Sequence, residues 1–193
     1  MYVRDAKNRE EVWLLDHLEA LGLADPAFRS RDYVVALDEE SGTKTGFGRI
    51  RVHTGDDGEC CELAAIGVLE EWRNRGVGAH VVERLVEMAR DQGFEEVYSL
   101  TPEGGYLAQF GFERVAEADL PGPIADRLAE VRGDHPDAVP MALAADDFEM
   151  PDRLRERFKR AGDEDPEDAE PEESPEDFGI DPDEATYKYD TGR

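Results

Sequence analysis

Residues 65–79, Ala-Ile-Gly-Val-Leu-Glu-Glu-Trp-Arg-Asn-Arg-Gly-Val-Gly-Ala, restrict the fold of this 193-residue chain more than any other stretch. An extended segment ends near Val68, a loop carrying Arg73, Arg75 and Gly76 follows, and a long helix starts at the glycines. Glycines let consecutive backbone N–H groups turn toward one point. The unsatisfied first-turn amides of the helix and its positive dipole end face the same point. Such a turn binds an anion, above all a phosphate or pyrophosphate. Two other phosphate turns do not fit. Gly78-Ala79-His80 lacks the Lys-Ser/Thr of a P-loop, and Val81 stands where a dinucleotide fingerprint needs its third glycine. The helix predicted over 76–92 carries Val81, Leu85 and Met88 on one stripe, with Val82, Val86 and Ala89 beside it.

Strand and helix signals alternate through the first 145 residues. Strands are predicted at 2–4, 33–37, 45–53, 62–68, 96–100, 112–116 and 139–143. Turns at Ser41-Gly42 and Asp56-Asp57-Gly58 join the second, third and fourth as antiparallel neighbours. Helices are predicted at 8–21, with Val12, Leu15, Leu18 and Leu21 down one face, at 106–109 and at 124–131. The result is a mixed α/β (α+β) domain over 1–145, its sheet antiparallel in front and mixed behind. Residues 146–162 form a short charged linker helix with Pro151 at its start and five basic residues, Arg153, Arg155, Arg157, Lys159 and Arg160. That helix is either solvated or docked on an acidic face. In 163–184, 13 of 22 residues are acidic and none is basic, so 163–193 is expected to be a disordered tail. The β-prone 185–190 segment is a docking motif or simply a terminus.

Charge narrows the partners. With 48 Asp plus Glu against 22 Lys plus Arg, the net charge is -26, which repels nucleic acid and anionic membrane surfaces. The absence of any run of about 18 apolar residues or of a basic-then-apolar leader points to a soluble, cytoplasmic protein. Basic residues divide into 18 Arg and 4 Lys; an evenly acidic, lysine-poor chain resembles those of salt-in halophiles. The acidity therefore reports habitat rather than a surface for a cationic partner. Cys60 and Cys61 are adjacent, without the spacing of a disulfide staple or zinc site, and are expected on opposite faces of a strand. No metal site is predicted.

Arg73-x-x-Gly76-x-Gly78 resembles the acetyl-coenzyme A pyrophosphate loop of the GNAT superfamily of N-acetyltransferases. Tyr106-Leu107-Ala108-Gln109-Phe110-Gly111-Phe112 resembles that family's closing Gly-Phe motif with its preceding short helix, and the resemblance covers about residues 2–145. It implies the GNAT fold: a mixed, mostly antiparallel sheet of six to seven strands flanked by helices. It also implies acetyl-CoA as co-substrate, without a metal, and a primary amine, such as a small amino acid, attacking the thioester directly in a ternary complex. By resemblance, backbone groups of Ile66 and Val68 pair with the pantetheine arm and an amide near Ile66 holds the oxyanion. The amides of Arg75, Gly76, Val77, Gly78 and Ala79 hold the pyrophosphate, with Arg73 adding charge.

Glu62, eleven residues before Arg73, stands where the histone-type branch places its base. Period-two alternation puts it on one face with Ala64, Ile66 and Val68; the alternative is a plain surface carboxylate. Leu107 occupies the place of the family's acid tyrosine, which leaves Tyr106 or water to reprotonate the CoA thiolate. Residues 111–141 resemble the branch of N-acetylglutamate synthases and arsinothricin acetyltransferases, implying an acceptor with a carboxylate. The arginine this branch places four residues before Val68 is Ala64 here, so Arg49 and Arg51 become the candidates for that carboxylate. His53 and Tyr98 are further candidates for lining the acceptor site. A protein amino group as acceptor, a non-catalytic acetyl-CoA-binding module and a homodimer all stay open.

Overall fold

The computed structural model describes residues 1–162 apart from Ala24, Pro26 and Asp57; the acidic segment and the 185–190 motif lie outside the described residues. Seven strands are described: β1 (Tyr2–Asp5), β2 (Tyr33–Leu37), β3 (Lys44–Gly55), β4 (Gly58–Val68), β5 (Glu96–Thr101), β6 (Glu113–Arg114) and β7 (Val139–Ala144). They join in one sheet of order β1-β2-β3-β4-β5-β7-β6. Only the β4–β5 pair is parallel; the other pairs are antiparallel. The helices are α1 (Glu11–Ala20), α2 (Val77–Asp91), α3 (Gly104–Ala108), α4 (Gly122–Asp134) and α5 (Asp152–Arg160). This is the mixed, mostly antiparallel sheet flanked by helices that the sequence predicts.

Alternation along the strands sorts side chains to two faces. Val34, Ile50, Cys61, Leu63 and Val97 pack on the predicted stripe of α2. Gly48 makes that packing close, because a Cβ there would lie 2.8 Å from Val81 Cγ1 and 2.9 Å from Leu85 Cδ1. On the opposite face, Leu14 and Leu18 of α1 cover Tyr33, Val35 and Phe47, and Ile124 of α4 covers Tyr98 and Ala142. Cys60 and Cys61 divide between the two faces.

The α1 face differs from the predicted one. Val12 is 69% exposed and Leu15 43%, whereas Leu14 and Leu18 are buried. Trp13, Leu14 and Leu15 make the helix apolar nearly all round, so periodicity alone did not select a face. Selection comes from the entry: Glu10 accepts two hydrogen bonds from Arg4 at 2.7 and 2.8 Å and one from the Lys7 amide at 2.8 Å. The Arg4 guanidinium holds the Glu10 carboxyl at about 2. This anchor fixes the rotation of the helix that follows.

α5 is docked rather than solvated. Leu154 and Phe158 are buried in the α2-side core, Phe158 stacks on His80 at 3.8 Å, and Arg155 donates to Glu83 of α2 at 2.9 Å. Leu154→Ala is expected to destabilise the protein by about 2–5 kcal/mol, measured by denaturant unfolding; a solvated helix would lose under about 0.5 kcal/mol.

Candidate active site

β4 and β5 run side by side only through Cys61–Val97, Glu62–Tyr98 and Leu63–Ser99. At the last pair the Ser99 hydroxyl donates to the Leu63 carbonyl at 3.2 Å. Beyond it β4 bulges: Ala65 has φ +50°, and Ala65 and Ile66 together oppose the single residue Gly48 of β3. The two strands part there, and a cleft of about 720 Å³ opens. Ile66 and Val68 form one wall, Ser99 and Thr101 the other; Tyr106 and Leu107 border it from α3.

One end of the cleft is the glycine loop, where Arg73, Asn74, Val77 and Gly78 contribute. Asn74 (φ +61°) and Gly76 (φ +73°) both take left-handed backbone, which turns successive amides inward as an anion nest. The first bond of α2 runs from the His80 amide to the Gly76 carbonyl at 3.3 Å. The amides of Val77, Gly78 and Ala79 precede it and have no acceptor within the helix. Arg73 is exposed at the mouth. Arg75 instead turns into the protein: its Nη1 donates to the Ala161 carbonyl at 2.7 Å and its guanidinium lies 5.1 Å from the Trp72 ring centre. His80 also faces away, onto Phe158, with Nδ1 3.0 Å from the Gly76 carbonyl; burial lowers its pKa.

The bulge corrects one expectation. Ile66 and Val68 pack on the α2 side with Leu63, while Ala65 packs on the α1 side. An extra residue reverses the facing of everything after it, so Glu62 does not share a face with Ile66 and Val68. It points toward α4 and is 2% exposed. Its Oε2 lies 2.7 Å from His53 Nε2 and 3.6 Å from Arg127 Nε. A solvated surface carboxylate is thereby ruled out.

Tyr106 reaches the cleft, because α3 begins at Gly104, ahead of the predicted start. A Cβ at Gly78 would lie 3.1 Å from its hydroxyl. Leu107 also borders the cleft.

Arg49 is corrected as a substrate ligand. It is 3% exposed; it pairs with Asp25 and Asp32 and donates to the carbonyls of Ala27 and Ile50. These bonds fasten the 25–32 segment to β3. Arg51, across the ladder from Glu62, makes no hydrogen bond or ion pair among the described residues. With His53 it lines a separate cavity of about 420 Å³. Tyr98 lies under Ile124 and donates to Glu96.

Sequence reasoning missed Trp72, Asn74, Ser99, Thr101 and Glu103 on the cleft, and Arg127 beside Glu62. Asn74 alone had a signal, since asparagine before a glycine loop tolerates left-handed backbone. Among the described residues, no group of three or more His, Cys, Asp or Glu side chains is placed to hold a metal ion. No described helix is long and apolar enough to cross a membrane.

A strand pair that splits beside an amide nest joins an anion site to unpaired strand backbone in one cleft. Residues 2–112 match the acetyltransferase (GNAT) family, and the chain belongs to that family. An uncharacterised N-acetyltransferase of Chlorobaculum tepidum is 30% identical over 94 residues, 49% of this chain and 57% of that protein, so the match spans little more than half of that relative. The fold is similar to N-acetylglutamate synthase from Neisseria gonorrhoeae, solved with coenzyme A and N-acetyl-glutamate (TM-score 0.58, 19% identity, 72% of this chain and 34% of that one). A Mycobacterium tuberculosis protein solved with CoA is also similar (TM-score 0.61, 18% identity, 75% and 99%).

Gly78→Val places carbon against the Tyr106 hydroxyl and Val68. Isothermal calorimetry in molar KCl is expected to show acetyl-CoA affinity falling about 100-fold or more, with circular dichroism unchanged.

Proposed function

We propose that the chain is an N-acetyltransferase that passes the acetyl group of acetyl-CoA directly to a primary amine in a ternary complex. The observation that carries this reading is the coincidence, in one cleft, of the amide nest, the end of the β4–β5 ladder and the bulge at Ala65. The diphosphate fits the first-turn amides with Arg73 beside them, and the pantetheine arm lies along Ile66 and Val68. The acetyl carbonyl then reaches the parted strands, where an amide near Ile66 receives the oxyanion.

The reversal of faces at the bulge gives the two substrates separate approaches. Acetyl-CoA enters from the α2 side and the amine from the side of Glu62, three residues before the bulge and about 10 Å along the strand. Glu62 takes the ammonium proton, through water, the amine nitrogen attacks the thioester carbon, and the C–S bond breaks. The departing thiolate is protonated by Tyr106 or water. Arg51, unpaired and next to Glu62, suits an acceptor that carries a carboxylate, so a small amino acid is the preferred acceptor. The acidic, lysine-poor composition supports a cytoplasm of high salt as the working environment.

Thiol release from acetyl-CoA is the decisive assay, run in molar KCl on glycine, L-glutamate, tyramine and a tetrapeptide with a free N-terminus. Turnover is expected, fastest on an amino acid. Glu62→Gln is expected to lower kcat by about 100-fold or more with acetyl-CoA affinity retained. Arg51→Gln is expected to raise KM for the carboxylate-bearing amines and leave tyramine unaffected. Leu107 in the acid position favours a second reading, a module that binds acetyl-CoA without turning it over; binding with no thiol release on any amine establishes it instead.

A further inference from the structure

Both contacts on the Glu62 carboxylate fall on one oxygen. Oε2 lies 2.7 Å from His53 Nε2 and 3.6 Å from Arg127 Nε. Oε1 takes no hydrogen bond among the described residues, although the side chain is only 3% exposed. A carboxylate confined in this way is asymmetric. One oxygen is anchored to charge-compatible donors, and the other is held still with its lone pairs unused.

The anchors come from different elements. His53 lies on the neighbouring strand β3, two residues beyond the direct ladder partner Arg51 and on the same face of the sheet. Arg127 comes from α4, where its Nη1 is tied to Glu130 at 2.9 Å. Its Nε is buried and has no hydrogen bond of its own, so the Glu62 charge 3.6 Å away is the group it faces. With Oε2 held between groups from two elements, exchange of the two carboxylate oxygens by rotation is opposed.

We propose that His53 is the positioning residue of the reaction: with Arg127 it holds Oε2, so that Oε1 is the atom that accepts, through water, the proton of the incoming ammonium. The proposal rests on the reading of Glu62 as base. One ammonium N–H bond breaks, its proton passing through a water so that Oε1–H forms; the freed amine lone pair makes the new C–N bond as the C–S bond breaks, and the second nitrogen proton passes by way of Tyr106 or water to the departing thiolate. The Oε1 proton then passes to water, restoring the carboxylate. His53 touches neither substrate in this scheme and acts through Glu62 alone.

The titratable and charged groups around the carboxylate are Arg51 and His53 from β3, Cys60 from β4, Tyr98 from β5, and Arg127 and Glu130 from α4. The Cys60 thiol is pushed up by burial and then by the Glu62 charge, which places that charge within electrostatic reach of its neighbours. His53 and Arg127 are the members that contact Oε2.

The test is steady-state kinetics of the full-length protein on the fastest amine of the four above, with acetyl-CoA binding followed separately by calorimetry. His53→Leu is expected to lower kcat by about 10-fold or more with KM and calorimetric affinity for acetyl-CoA unchanged, and His53→Gln, which keeps an N–H donor, to restore most of the rate. Arg127→Met is expected to lower kcat in the same way and covers the case in which His53→Leu does not fold. A kcat that stays put in both His53→Leu and Arg127→Met, while Glu62→Gln lowers it, overturns the proposal. No turnover on any amine, or a Glu62→Gln variant as fast as the unaltered protein, overturns the reading of Glu62 as base and the proposal with it.

Discussion

The early end of the β4–β5 ladder organises the molecule. Three paired positions hold the strands together, and the hydroxyl of Ser99 fastens the last of them to Leu63. A parallel pair is slightly weaker per residue than an antiparallel one, so a short parallel seam is where a mixed sheet opens most readily. The neighbouring pairs are longer and antiparallel, nine partners between β3 and β4 and six between β5 and β7. The sheet is thus two firm antiparallel blocks joined by a brief seam, with the gap confined to one side of it. Backbone amides and carbonyls along the gap lack a strand partner, and a buried polar backbone group needs one. In the proposed function the pantetheine arm, an extended chain with its own amide groups, satisfies them in the manner of an added strand.

How much of this was legible in the sequence depends on what each feature rests on. The glycine loop, the α2 stripe and the hairpins rest on local chemistry: turn residues, periodicity and the first turn of a helix. All of those sit in neighbouring residues, and the elements formed within a few positions of where they were expected. The bulge rests on nothing local. Ala65 has no turn signal, and its φ of +50° is imposed by the need of β4 to follow β3 while leaving β5. That one residue displaced Glu62 from the predicted face. Arg49 failed for a related reason, since its partners Asp25 and Asp32 come from a segment whose path no periodicity predicts. The α1 face was illegible because three consecutive large apolar residues fit any rotation.

The second arginine of the loop shows how the same short motif divides its work. Arg73 stays at the mouth of the cleft, whereas Arg75 reaches back to the Ala161 carbonyl at the end of α5. At Gly76 a Cβ would come within 2.4 Å of the Leu154 carbonyl, so α5 packs directly on the bare backbone of the turn. Left-handed backbone at Asn74, which unlike Gly76 carries a Cβ, costs conformational energy that must be over-determined by what surrounds it. The other side of the loop lines the cleft. Support is therefore available only from behind, and α5 supplies it through Leu154, Phe158 and the Arg75 bond.

The diphosphate site of the proposed function, on a chain of net charge -26, sets a further condition. In dilute buffer the Debye length is about 30 Å at 0.01 M salt, and the summed acidic surface opposes the approach of a polyanionic carrier; at 1 M it shrinks to about 3 Å. Under the second condition only groups in direct contact with the phosphates matter. A nest of neutral amide dipoles with Arg73 at its rim is a local device of that kind, needing no long-range attraction. Its donors are fixed by backbone geometry rather than by flexible lysine side chains, so little ordering entropy is lost on binding. The acidic surface and the amide nest are compatible because salt acts on the first and scarcely on the second.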